Sequence, residues 1–282
     1  MLINNTSGKE KCGLIDMSGK TILLVADLDG TIIRSGEPID EELASILKKY
    51  REESRLLIAT GRHPLAVKFV LQTALGFVPT ISLNGGGLNL YSWSRFDRVI
   101  YFPSDTVKAV SRELSGFDVT ISYYGEEFWA VSKLSPYVER ESIVTGMIPS
   151  TWRDQYLSRC VKILVMCEPS MIKIIRAHIK RQLSDLIQIS ESLKAYLEIS
   201  PPSVNKVTLI FHFLKKIIAE KKLTPYIVFV GDSENDIDCA KFANESWTFP
   251  SSSRKLKEVC TGILDYDNGL GVKNLLRDLG QK

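Results

Sequence analysis

Apolar and polar residues alternate along this chain in two rhythms. Short runs of branched apolar residues, TILLVA (21–26), RLLIA (55–59) and PTISL (79–83), have the length and texture of buried strands. Between them lie DEELASILKKYREE (40–53) and PLAVKFVLQTAL (64–75), whose apolar positions recur at helical spacing. Asp40 suits the N-cap of the first, ahead of two acidic first-turn residues, and Pro64 suits the first turn of the second. Strands alternating with helices predict an α/β fold, with a parallel sheet covered on both faces.

After Asn84 the rhythm changes. NGGGLNLYSWSRFDRVIYFP reads as a glycine turn and a hairpin, 104–116 as a helix, and 117–133 as a second hairpin turning at Gly125. Residues 134–158 carry little pattern. Then come a strand (161–168), a helix (169–183) and a strand (194–201). The first rhythm returns with a helix (205–222), the buried strand YIVFV (226–230), a helix (234–243) and the short strand SWTFP (246–250). The pattern predicts a flexible lead-in over 1–20 and a Rossmann-like parallel-sheet core made of 21–84 and 202–282. An α+β cap domain, 85–201, is inserted into that core.

Composition adds mainly exclusions. Hydrophobic residues make up 44% of the 282, charged residues 24%, and the net charge is only +3. Basic residues form no patch beyond a solvated helix face, so no nucleic-acid partner is expected. The five cysteines form no C-x-x-C, which argues against a disulfide framework or thiolate zinc site and for a reducing compartment. The polar N-terminus and the lack of an apolar run near the roughly 18 residues of a membrane span lead to the expectation of a cytoplasmic protein.

The chemistry gathers where strands end. The first gives Asp27, Asp29, Gly30 and Thr31; the second, TGR (60–62); the third, NGG (84–86); the fourth, GDSENDID (231–238). A parallel sheet brings all four groups to one edge, the edge where open α/β sheets bind ligands. Two carboxylates as close as Asp27 and Asp29 raise each other's pKa and need a cation or a reaction to justify them. Aspartates offer hard oxygens that suit Mg²⁺, while Thr60 and the Gly61 amide offer donors to phosphate. Lys206, in the first turn of its helix, offers a compact positive charge. Together they describe phosphoryl transfer. Rival motifs fail. GLIDMSGKT (13–21) has one residue too many for a P-loop, the segment from Asp232 lacks the glycine and the final glutamate of a calcium loop, and there is no G-x-G-x-x-G.

The set DLDGT, ATGR, Lys206 and GDSEND resembles the haloacid dehalogenase-like superfamily, and an insertion after the third strand resembles its Cof-type branch, which also holds sucrose-phosphate phosphatase. The ending YDNGLGVKNLLRDL fits as well, whereas Val207 in place of glycine and WTFPSSSRKLKEV (247–259) depart from the usual pattern. The resemblance implies Asp27 as nucleophile and Asp29 as general acid and base, its pKa raised by Asp27 and by burial. It implies Mg²⁺ on Asp27, the Asp29 backbone carbonyl and Asp232, with Asp236 and Asn235 ordering that shell or touching phosphate. Thr60, Gly61 and Lys206 would hold phosphoryl oxygens. Arg62 is as readily a surface ion pair as a phosphate contact, and Asn84 as readily a turn residue as a substrate contact. Tyr123, Tyr124, Phe128 and Trp129 on the cap hairpin either pack a core or stack on a sugar. The implied activity is a Mg²⁺-dependent phosphatase of a small phosphorylated metabolite, a sugar phosphate foremost, in a monomer or small homo-oligomer. A phosphomannomutase-type phosphomutase and a non-catalytic ligand-binding regulator are the alternatives, although SPYVER (135–140) does not match the mutase's Ser-Pro-x-Gly-Arg.

Overall fold

The computed structural model describes residues 21–34, 37–191, 194–222 and 224–281; the lead-in expected over 1–20 lies outside them. The chain opens with β1 (Ile22–Ala26), α1 (Glu41–Glu52), β2 (Leu56–Ala59), α2 (Pro64–Leu71), β3 (Thr80–Ser82), β4 (Gly87–Asn89) and β5 (Arg98–Val99). It continues through α3 (Ser104–Leu114), β6 (Thr120–Tyr124), β7 (Trp129–Val131), α4 (Pro136–Thr145), β8 (Ser150–Thr151), β9 (Lys162–Met166), α5 (Pro169–Leu183), β10 (Gln188–Glu191) and β11 (Tyr196–Ser200). It closes with α6 (Lys206–Lys221), β12 (Tyr226–Val230), α7 (Ile237–Phe242), β13 (Glu245–Thr248), α8 (Arg254–Lys257), β14 (Gly262–Ile263) and α9 (Asn268–Gln281).

The first sheet has the order β14-β13-β12-β1-β2-β3-β4-β5, parallel from β14 to β3. Alternation along β1 divides its side chains between two cores. Ile22 and Leu24 pack with Leu43, Leu47 and Tyr50 of α1 and Val272 of α9. Leu23 and Val25 pack with Leu209, Phe213 and Ile217 of α6. A strand covered on both faces loses no apolar side chain to water, each contributing about 1.5–3 kcal/mol. Asp40 caps α1 as expected, its carboxylate accepting from the Leu43 amide at 2.9 Å.

The glycine hairpin forms, but it joins this first sheet rather than the inserted unit. Strand β4 runs antiparallel to β3, with Ile81 opposite Leu88, and β5 pairs with β4. Gly85 supplies a left-handed turn (φ +101°), and a Cβ at Gly87 would lie 2.1 Å from the Phe96 ring. The second sheet therefore begins beyond Val99, not at residue 85.

That second sheet has the order β10-β11-β9-β6-β7-β8. One face, with Ile163, Val165, Leu197 and Ile199, is covered by Val107 and Val110 of α3 and Ile175 and Ile179 of α5. The other face, with Tyr124, Trp129, Leu164 and Tyr196, packs on Ala66, Leu83 and Phe96 of the first unit. The fold is thus an α/β core carrying an inserted α+β cap. No helix among the described residues is long and apolar enough to cross a membrane.

Candidate active site

Asp27 follows β1 directly, and its amide donates to the Val230 carbonyl, prolonging the β1–β12 pairing by one residue. The turn beyond it needs Gly30. Its φ is +76°, and a Cβ there would lie 2.3 Å from an Asp232 carboxylate oxygen. Glycine lets the loop after β12 close onto the loop after β1.

Helix α6 brings Lys206 to the same place. Asn205 caps it, accepting from the Val207 amide at 2.7 Å, so Lys206 is the first helical residue. A cation is disfavoured at a helix N-terminus. Here two carboxylates offset that: Lys206 Nζ lies 2.8 Å from Asp236 Oδ1 and 3.3 Å from Asp27 Oδ1. Burial works against this charge, but Asp236 and Asp27 outweigh it and hold the amine's pKa above the usual lysine range.

Asp236 is completely buried. Its Oδ2 also accepts from the amides of Asp232 (3.2 Å) and Ser233 (3.3 Å), which folds that loop around it. Asp27, Asp232 and Asp236 each place an oxygen within 4.8 Å of the others. Three carboxylates face one ammonium. Burial, followed by Asp236, pushes the Asp27 carboxyl well above its usual range despite Lys206. Burial and Asp236 likewise push Asp232 up to about 7, again against Lys206. This surplus of negative oxygens, costly as it stands, is the donor set a hard divalent cation fits.

Asp29 departs from expectation. It was expected to be buried beside Asp27, but its side chain is 38% exposed and is held instead by Arg62. Arg62 Nε donates to Oδ2 at 2.6 Å and Nη2 donates to Oδ1 at 2.7 Å, a two-pronged grip. Both Asp29 oxygens are thereby oriented by one guanidinium. Arg62 forms an ion pair, but a largely buried one rather than one on the surface, and its third nitrogen, Nη1, donates to the Val144 carbonyl on α4 at 3.0 Å.

The residues around Arg62 are fastened in the same way. Thr60 Oγ1 accepts from the Arg62 amide at 3.2 Å, the Gly61 carbonyl accepts from Lys162 Nζ at 3.1 Å, and His63 Nε2 donates to the Gly125 carbonyl at 2.8 Å. His63 Nδ1 accepts from the Leu65 amide at the start of α2, so the ring is neutral with its proton on Nε2. Burial pushes its pKa down to about 4, against the hydrogen bonds to the Gly125 and Glu126 backbone. Asn84 sits in a left-handed turn (φ +56°). Its Oδ1 accepts from Asn235 at 3.1 Å and its Nδ2 donates to Glu198 at 2.5 Å.

Asp27, Asp29, Thr60, Gly61, Arg62, Asn84, Asp232 and Asn235 line one cavity of about 410 Å³ between the two units. Lys206 and Asp236 do not line it; Lys206 lines the larger neighbouring cavity, and Asp236 is fully buried. A larger cavity of about 860 Å³ shares Asn84, Asp232 and Asn235 but touches neither Asp27 nor Asp29, so the chemistry belongs in the smaller one. Of the four aromatics, Tyr123 stacks on Trp152 (3.7 Å), Phe128 on Tyr156 (4.3 Å), and Trp129 is buried in the interface; Tyr124 alone of them lines the cavity. The sequence reading missed Glu141, Lys162, Tyr196 and Glu198, which also line it. For Lys162 and Glu198 the available signal was a charge in an otherwise apolar strand, KILVM and YLEIS.

Residues 24–276 match the family of haloacid dehalogenase-like hydrolases. A Mycoplasma pneumoniae protein named "Putative phosphatase" is 21% identical over 272 residues, covering 89% of this chain and 94% of its own. A Thermotoga maritima structure superposes with a TM-score of 0.78 at 20% identity, covering 92% of this chain and 97% of the other. A haloacid dehalogenase-like hydrolase from Bacteroides thetaiotaomicron superposes with a TM-score of 0.79 at 21% identity, covering 92% and 100%. With the carboxylate cluster, Thr60 and Lys206 meeting at one sheet edge and the match running through both units, the chain belongs to the haloacid dehalogenase-like hydrolases.

Proposed function

We propose that the protein is a Mg²⁺-dependent phosphatase that hydrolyses a small phosphorylated metabolite, a sugar phosphate, through an aspartyl-phosphate on Asp27. The observation that carries this reading is the buried Asp27 carboxylate, backed by Lys206 at 3.3 Å and opening onto a cavity of small-metabolite size.

An Asp27 oxygen attacks phosphorus as the bond to the leaving oxygen breaks, and Asp29 gives that oxygen its proton. Asp29 then takes a proton from water, whose oxygen attacks the phosphoryl group and restores the Asp27 carboxylate. The Arg62 fork sets the direction of Asp29 for both steps. Thr60 Oγ1 and the Gly61 amide hold the phosphoryl oxygens, and Lys206 fixes Asp27 rather than reaching the substrate. Asp27, Asp232 and the Asp29 carbonyl would hold Mg²⁺, which supplies neutralisation of phosphoryl charge when bound.

The test is phosphate release from a panel of sugar phosphates by wild type and Asp27→Asn, with Mg²⁺ and with chelator. Release that requires Mg²⁺ and disappears in the variant supports the reading. Release that survives Asp27→Asn rejects it.

A further inference from the structure

The cap face that looks toward Asp27 is built by strand register. Tyr124 pairs with Lys162 across β6 and β9, and Leu164 pairs with Glu198 across β9 and β11. Tyr196 lies two residues before Glu198, so it shares that face. Helix α4 adds Glu141 to the same cavity wall.

The charges on this wall are unequal. Lys162 Nζ is 2.8 Å from Glu198 Oε2 and also donates to the Gly61 carbonyl, so its charge is answered inside the wall. Arg62, the cavity's other cation besides Lys162, is held by Asp29. Glu141 Oε1 accepts from the Tyr196 hydroxyl at 2.7 Å, and its Oε2 has no hydrogen bond among the described residues. An ionised carboxylate accepts hydrogen bonds and donates none. It suits a hydroxyl and repels an anion.

We propose that Glu141 and Glu198 read the leaving group, selecting a neutral, hydroxyl-bearing one and excluding a second phosphate. The substrate class is then a phosphomonoester of a polyhydroxy compound with no further anionic group. This rests on the phosphatase reading above, and it sets the protein against mutase chemistry that runs through a bisphosphate.

The experiment compares glucose 6-phosphate with glucose 1,6-bisphosphate on the full chain with Mg²⁺. Two readouts are taken: kcat/KM for phosphate release, with p-nitrophenyl phosphate as a general substrate, and calorimetric binding to Asp27→Asn protein. The expected result is a preference of at least about tenfold for the monophosphate in both. Glu141→Gln should narrow it severalfold by improving the bisphosphate, and Glu198→Gln serves as a second variant. Equal handling of the two ligands overturns the proposal, as does a preference unchanged in both variants or a monophosphate that gives no binding heat. Absence of release from all three compounds rejects the phosphatase reading instead, and the calorimetry still decides the selection.

Discussion

Arg62 holds both carboxylate oxygens of Asp29, at 2.6 and 2.7 Å, and reaches the cap through the Val144 carbonyl with its remaining nitrogen. A lysine offers a point charge in place of that planar fork. Arg62→Lys should therefore leave Asp29 in place but poorly aimed. We expect kcat to fall by about tenfold to a hundredfold with a smaller change in KM, the scale of a misplaced proton donor. Steady-state kinetics on the preferred sugar phosphate checks this, and an unchanged kcat would show that the fork does not aim Asp29.

Lys206 is the one ammonium among the buried carboxylates of Asp27 and Asp236. Lys206→Met keeps much of its volume and strands both charges. The unfolding free energy should fall by about 3–5 kcal/mol. Mg²⁺ should recover part of the deficit, because it is attracted to the oxygens left without a partner. Urea denaturation with and without Mg²⁺ reads both effects.

Proton and cation compete for Asp232, whose carboxyl is raised to about 7 by burial and by Asp236. A carboxyl with a raised folded pKa stabilises the metal-free protein at low pH and loses that contribution as pH rises through about 7. Cation binding runs the other way. Mg²⁺ affinity should weaken by up to roughly tenfold per pH unit below about 7. Calorimetric titration at pH 8 and pH 6 distinguishes this from a pH-independent site.

His63 contributes the opposite dependence. Its pKa is lowered to about 4 in the folded protein, against about 6.5 for a free imidazole. Its contribution is present above pH 6.5 and is lost as pH falls toward 4, by up to about 3 kcal/mol over that window. His63→Asn keeps a capping oxygen for α2 and has nothing to titrate. Its stability should change less steeply between pH 6.5 and 4 in chemical denaturation, and a slope equal to wild type would place the titration elsewhere.

The parts legible in the sequence are those whose signal is local. Asp27, Thr60 and Asp232 stand at strand ends, where an apolar run stops and polar residues begin. Helix α5 matches its expected bounds because Ile172, Ile175, Ile179 and Leu183 form one apolar stripe. Helix α4 was illegible for the converse reason: Val138 and Thr145 are its buried residues and Ile143 is 79% exposed, so no stripe forms. The glycine hairpin was legible as a hairpin but not in its sheet, because pairing partners are not written in a strand's own residues. Lys162 and Glu198 are 36 positions apart and meet through the pairing of β9 with β11. Arg62 was visible as a residue, but its grip on Asp29 depends on the distance between two loops.

Gly61, Arg62 and His63 follow one another in the chain, yet each is tied to a different part of the cap: β9, α4 and the turn at Gly125. The cap is therefore not an exchangeable module. Grafting a relative's cap onto this core would remove the partners of three consecutive residues beside Thr60. Changes in substrate preference are more accessible through substitutions on the cap's inner face that leave those three attachments in place.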